Sequence, residues 1–268
     1  ASAAFKVIGP LVGRGVAPYL RSMTTSSDHK PGWVATLAPD NPHRDYWERA
    51  LTAGFDPSFE TISTHDKTAW VLRSARFEHI TEALEVREIA EVIIAQLNGA
   101  QAALGDLDPL KLHGVGKVDY DGSFSTIVFG ELTICAKAHM AIGSVEVRDS
   151  LGNLVPPPPP RASLTQSWIQ AARTDDDIAD LLRYAGHSDN WYDIYKAMEL
   201  LCRLAGGKNK LSSMLGDSAG AVEHMRETAN IYRHARPHRT LVPTTLCAAK
   251  PLLAFAIRTV LAKRVPPS

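Results

Sequence analysis

The residues best suited to chemistry lie close together near the C-terminal end of the chain. Residues 224–239 include four arginines and three histidines, with Glu227 as the single acid. Arginine presents a planar set of N–H donors that fits a phosphate group, and histidine exchanges protons near neutral pH. This basic cluster therefore suits a bound phosphodiester, and Tyr232 adds a ring on which an unpaired base can stack. The alternative is that these side chains only solvate a helix surface.

Charge is unevenly distributed along the chain, although its net value is zero. Residues 1–160 carry 14 Lys and Arg against 19 Asp and Glu, whereas residues 161–268 carry 15 against 10. From residue 203 to the end, 11 basic residues face only 3 acidic ones. An acidic half joined to a basic half suggests two separate tasks, with electrostatic attraction between the halves.

Composition narrows the class of protein. With 268 residues, 45% hydrophobic and 22% charged, the chain is expected to be globular. The cysteines at 135, 202 and 247 are too few and too scattered for a disulfide framework, which favours a reducing cytoplasm. No apolar run reaches the ~18–20 residues of a membrane helix, and no metal-ligand or nucleotide-binding motif is present. We therefore expect a cytoplasmic protein of bacterial type without membrane association, metal or other cofactor.

Five consecutive prolines at residues 156–160 divide the chain. Proline has no backbone N–H and favours the polyproline II conformation, so such a run ends helices and strands and forms a spacer of roughly 15 Å. We interpret it as a linker between a domain at residues 1–155 and a second domain at residues 161–268. The alternative is a surface loop within one domain.

The half before the prolines has a mixed pattern. One long helix is predicted from residue 80, because apolar residues recur from there at helical spacing. It is expected to end near Asn98-Gly99, and the alternative is an extension through residues 100–104. Asp121-Gly122 predicts a hairpin turn between two of the strands. Short β-prone runs lie at residues 5–8, 33–37, 69–74, 117–120, 125–129, 132–136 and 144–148. This half is therefore expected to be α+β.

The half after the prolines predicts an all-α domain. Capping residues and apolar stripes indicate successive helices, the third ending at Gly206-Gly207. Their expected starts are Ser163, Thr174, Asp189 or Asn190, Gly220 and Pro251.

The third of these helices could support the basic cluster. It places Tyr195 and Glu199 at positions i and i+4 on one face, from which both could contact the cluster across a helix interface. The neighbours of Glu199 predict that it is buried, and a buried carboxylate needs a partner. The alternative is an aromatic core stripe without a role in chemistry.

The cluster also contains the spacing Arg233-x4-His238. An all-α unit that carries this motif before its last helix resembles the HEPN superfamily, whose domains include metal-independent ribonucleases and noncatalytic interaction modules. The resemblance covers roughly residues 163–263. Pro237 lies inside the motif and would break a helix that continued through it. Arg226, Asn230, Arg233 and His234 could instead share one helix face.

The resemblance implies RNA cleavage through the ribose 2′-OH without a metal. His238 or His234 would act as general base or acid, and Arg233 would stabilise the negative charge that develops on the phosphate. A homodimer is the implied assembly, and the N-terminal domain would sense a ligand, position the substrate or restrain the nuclease. The expected substrate-binding residues are Arg226, Asn230, Tyr232, Arg236 and Arg239, with Tyr195 and Glu199 in support.

Two other classes of function stay open. The helical half could be a noncatalytic dimerisation or protein-interaction module. An enzyme could also have its pocket in the N-terminal domain.

Overall fold

The computed structural model describes residues 30–51, 54–63, 68–105, 107–128, 163–234 and 242–265. The polyproline run and the strands predicted at residues 5–8, 132–136 and 144–148 lie outside the described residues. The predicted site residues Arg236, His238 and Arg239 lie outside them as well.

An antiparallel sheet forms in the half before the prolines, in the spatial order β2-β3-β1-β4-β5. The strands predicted near residues 33–37 and 69–74 and the hairpin at Asp121-Gly122 are confirmed, whereas α1 and β2 were not predicted. In chain order the elements are β1 (Gly32–Leu37), α1 (Arg44–Ala50), β2 (Ser58–Ser63), β3 (Thr68–Arg73), α2 (Ala83–Leu104), β4 (Leu112–Val118) and β5 (Phe124–Val128).

Side chains alternate between the two faces of this sheet, as the pleat of a strand requires. On one face Ala35, Leu72 and Val115 join the main hydrophobic core, to which α2 also contributes. On the other face Val34 and Val71 are fully buried in a second, smaller cluster. The sheet is therefore apolar on both sides.

In the residues that the structure describes, the half after the prolines contains helices and connecting turns but no strand. Ser163, Asp175, Asn190 and Thr245 each accept a backbone N–H as side-chain N-caps. The last helix begins five residues before Pro251, where the sequence pattern had placed its start. The helices are α3 (Leu164–Ala172), α4 (Asp176–Gly186), α5 (Trp191–Ala205), α6 (Lys208–Leu215), α7 (Ala219–His234) and α8 (Leu246–Arg264).

The two halves share one hydrophobic core, which runs from Trp47 and Leu97 to Leu182 and Leu261. Helices α2 and α4 cross at two glycines that allow their backbones to touch. A Cβ atom at Gly99 would lie 1.8 Å from the Leu182 carbonyl oxygen, and one at Gly186 would lie 2.1 Å from that of Ala95. The α+β fold class is confirmed, and the helical half packs directly on the helix that covers the sheet.

Candidate nucleic-acid interface

Helices α5 and α7 pack side by side and bring the start of one beside the end of the other. Helix α5 begins where the Asn190 side chain accepts the backbone N–H of Asp193 at 3.0 Å, and it ends at Gly206, whose φ of 81° suits glycine. On α7, Met225 and Ala229 are buried in the core. This packing places the last turn of α7 against the first two turns of α5.

Arg233, in that last turn, lies on the ring of Tyr195. Its guanidinium carbon is 4.4 Å from the ring centroid, a cation–π contact, and its nearest nitrogen is 3.8 Å from a Glu199 oxygen. The Arg233 side chain is 33% exposed. Within the part of the chain that the structure describes, it makes no hydrogen bond. Arg233 is therefore held in place while its N–H donors stay available to an anion.

Glu199 is a partly exposed carboxylate beside Arg233. It accepts a hydrogen bond from Lys196 at 2.9 Å. Partial desolvation raises the pKa of Glu199, but hydrogen bonds from Lys196 and Tyr195 and the charges of Lys196 and Arg233 outweigh it, so the pKa lies below its usual range. The side chain is 40% exposed. The predicted burial of Glu199 is thus wrong, because its position is at the edge of the apolar stripe.

An aromatic pair lies next to Arg233. The rings of Trp191 and Tyr232 stack with centroids 5.3 Å apart and an angle of 3° between their planes. Tyr232 is 54% exposed. On α5, Trp191 and Tyr195 are one helical turn apart, and on α7, Tyr232 and Arg233 are adjacent. Because Trp191 contacts Tyr232 and Tyr195 contacts Arg233, the stacked rings and the guanidinium lie side by side. We call Trp191, Tyr195, Glu199, Tyr232 and Arg233 the aromatic–arginine surface.

Arg226 has a different environment. Its Nε and one terminal nitrogen donate to the two carboxylate oxygens of Glu223 at 2.9 and 2.5 Å, and Lys208 donates to the same carboxylate at 2.7 Å. The hydrogen bond from Arg226, with that from Lys208, lowers the pKa of Glu223 to about 2 despite its partial burial. Arg226 lies two helical turns, about 10 Å, before Arg233. Its donors are bonded to Glu223 on the same helix, which Lys208 links to α6, and Arg226 is not presented beside the aromatic–arginine surface.

The remaining predicted site residues that the structure describes lie near the end of α7. His234 is the exposed last residue of that helix and follows Arg233 directly, while Asn230 is half-buried one turn earlier. Trp191 and Lys196 were not among the predicted site residues. The spacing of Trp191 and Tyr195 at i and i+4 was the signal that could have identified the first of them.

Metal-ligand clusters and membrane-spanning helices are both absent from the described residues. These residues contain no group of three or more His, Cys, Asp or Glu side chains able to hold a metal ion. No described helix has the length and apolarity needed to cross a membrane.

Comparison with known proteins gave no relative. No protein family, no curated protein and no solved structure matches the chain.

Proposed function

We propose that the protein binds single-stranded RNA through the aromatic–arginine surface. The observation that carries this proposal is the position of Arg233, which is fixed on the Tyr195 ring beside an exposed aromatic stack and makes no hydrogen bond to any described residue. RNA is the class of ligand that the HEPN resemblance implies.

The phosphate contact is assigned to Arg233. An arginine that is already held against a ring loses less side-chain freedom when it binds, and its planar donors match phosphate oxygens. The neighbouring Glu199 does not cancel this attraction, because Lys196 already pairs with its carboxylate at 2.9 Å. Arg233, Lys196 and Glu199 together leave one net positive charge.

The base contact is assigned to Tyr232. Its ring is held parallel to Trp191, and more than half of its surface is open to solvent. Stacking of one base on such a ring contributes about 1–3 kcal/mol and needs an unpaired base. Because the bases of a duplex are already paired and stacked, a site that combines one cation with one exposed ring favours single-stranded RNA.

Metal-independent cleavage is a second candidate function. It is favoured by His234, whose exposed imidazole directly follows Arg233 on α7. In such a reaction an imidazole removes the proton of the ribose 2′-OH, whose oxygen attacks the adjacent phosphorus, and a second proton is delivered to the departing 5′-oxygen. Arg233 would stabilise the added charge on the phosphate. His238 is the other candidate for one of these proton transfers.

Binding is tested by fluorescence anisotropy of a labelled single-stranded RNA 12-mer with the full chain. Arg233→Ala is expected to raise Kd about tenfold and to lower the slope of log Kd against log salt by about 1. Arg264→Ala is the matched control, because it removes an equally charged, exposed side chain from α8. Equal losses in the two variants, or no binding by the wild type, would contradict the proposal.

A second pair of variants tests the stacking contact. Tyr232→Ala is expected to weaken RNA binding about tenfold, whereas Tyr232→Phe retains the ring and should bind nearly as the wild type does. A loss of the same size in both variants would show that the hydroxyl group matters and the ring face does not.

Cleavage is tested by incubating the same RNA with the protein in EDTA. Cutting by the wild type, its absence in His234→Ala, and protection of an RNA analogue that lacks every 2′-OH would together support the second candidate. Binding without cutting would leave RNA binding as the function.

A further inference from the structure

The sheet half contains a cavity of about 730 Å³ that has no part in the proposed RNA surface. It lies at one end of β1, β3 and β4, beneath the 3₁₀ turn Ala75–Phe77. This volume falls within the ~300–1,000 Å³ that small-molecule sites usually occupy. Its charged and aromatic lining includes Trp33, Asp56, Arg73, Glu78, His79 and Lys117.

The carboxylates of this cavity are already neutralised. Asp56 accepts the backbone N–H of Ala75 at 2.9 Å and pairs with Arg173 of α3 at 2.8 Å. Glu78 pairs with Lys30 at 2.6 Å. Among the described residues, the cavity therefore presents no unpaired carboxylate that would repel an anion.

Lys117 supplies a positive charge that no carboxylate balances among the described residues. Its ammonium lies 5.6 Å from the centroid of the Trp33 ring, its neighbour across the β1–β4 ladder. The Trp33 indole N–H donates to the Ile80 carbonyl oxygen at 2.9 Å, which fixes the orientation of the ring. A cation and an immobilised planar ring thus meet at one wall of the cavity.

His79 adds a second feature that points to binding. Its φ is 70°, a left-handed conformation that non-glycine residues adopt rarely and at a cost in stability. The backbone on either side is fixed, since Phe77 is buried and the Ile80 carbonyl is bonded to Trp33. The exposed imidazole lines the cavity. Glycine would adopt this backbone conformation without strain, so a histidine at this position suggests a function for its side chain.

We propose that this cavity binds a small anion carrying a planar ring, of the size of a nucleoside monophosphate. The ring packs against Trp33, and the anionic group contacts Lys117 and His79. Neither part of the site depends on the RNA-binding surface of α5 and α7.

The test is calorimetric titration of the full chain with AMP. Saturable binding is expected, and Lys117→Ala should weaken it about tenfold. Lys111→Ala is the matched control, since this exposed lysine lies just before β4 outside the cavity lining, and it should change the affinity less than about twofold. No saturable binding, or equal effects of the two lysine variants, would overturn the proposal.

Two dissecting ligands separate the ring from the anion. Adenosine and inorganic phosphate should each bind more weakly than AMP, because each retains only one of the two contacts. If phosphate alone bound as tightly as AMP, the ring contact with Trp33 would be refuted.

Arg233→Ala separates this proposal from the RNA surface. AMP affinity should be unchanged in that variant, whatever happens to RNA binding. A loss of AMP binding there, with none in Lys117→Ala, would place AMP on the aromatic–arginine surface and overturn the cavity site.

His79→Gly tests the use of the strained histidine. Glycine adopts a φ of 70° readily, so the thermal unfolding temperature should rise while AMP binding weakens. A higher melting temperature with unchanged affinity would show that His79 makes no ligand contact and would contradict that part of the proposal.

Discussion

The contact between α2 and α4 predicts a large effect for one added methyl group. In Gly99→Ala the new Cβ would lie 1.8 Å from the Leu182 carbonyl oxygen, whereas ordinary contact begins at 3.4 Å. The obstacle is backbone, so it cannot turn away as a side chain could, and the helices must separate by about 1.6 Å. Overpacking of this kind destabilises by about 1–3 kcal/mol or more, offset by about 1 kcal/mol from the better helix propensity of alanine. Because the overlap is with rigid backbone, we expect a cost at the upper end of this range and therefore a net loss of about 2 kcal/mol in the free energy of unfolding.

Urea unfolding followed by circular dichroism measures this loss. Gly220→Ala is the matched control, because Gly220 is also helical and nothing lies within 4 Å of the position of its Cβ. The control should be stabilised by about 0.5 kcal/mol. If Gly99→Ala were as stable as the wild type or as the control, the close crossing of α2 and α4 would be refuted.

Three further variants test the polar contacts of the fold. The pKa of Glu223 is lowered from 4.5 to about 2, so its ionised form stabilises fully above pH 4.5 and this contribution is lost as the pH falls towards 2. In urea titrations, the free energy of unfolding of the wild type should fall by about 1–2 kcal/mol between pH 4.5 and pH 2. Glu223→Gln should not show this fall, and identical pH profiles of the two proteins would refute the assignment. Ser163→Ala should lose about 2 kcal/mol in the same assay, because the hydroxyl both accepts the Gln166 N–H and donates to the Ala50 carbonyl oxygen. Thr245→Ala removes a single exposed cap bond and should lower the free energy of unfolding by about 1 kcal/mol. If Ser163→Ala and Thr245→Ala lost the same stability, the contribution of the Ala50 contact would be contradicted.

Helices α3, α4, α5 and α7 were predictable because their signals are local, whereas α6 was not predicted. Asn190 caps α5 and Gly206 ends it, as the residue types predict. Ser163 caps α3 for the same reason. The start of α8 was misplaced because Pro251 is typical of a first helical turn. In the structure Thr245 caps the helix instead, and the chain continues through the proline.

Two elements of the first half lacked such signals. Helix α1 has only seven residues, and His43 at its N-cap makes no side-chain cap bond. Strand β2 has a single fully buried residue, Ile62, so its apolar alternation is too weak to detect. It is defined by antiparallel pairing with β3, the next strand along the chain, at six positions and by the bond between Arg73 and Glu60, contacts that the apolar pattern of β2 alone does not show.

The candidate site could be predicted only in part. Helical spacing placed Tyr195 and Glu199 on one face, and the structure puts that face against Arg233. Arg226 is paired by Glu223, three residues earlier on the same helix, a spacing that the sequence shows, whereas the third member of the group, Lys208, comes from α6. Which arginines remain available depends both on such same-helix partners and on neighbours from other helices, and only the same-helix partners can be found from local spacing.

The crossing of α2 and α4 has a practical consequence for the design of truncated forms of the protein. A fragment ending before the prolines would leave the covered side of α2 open to water, and the complementary fragment would expose Leu182 and the groove around Gly186. Each would carry an adhesive apolar patch prone to aggregation. Functional experiments should therefore use the full chain with point substitutions, because deletions would expose these apolar surfaces.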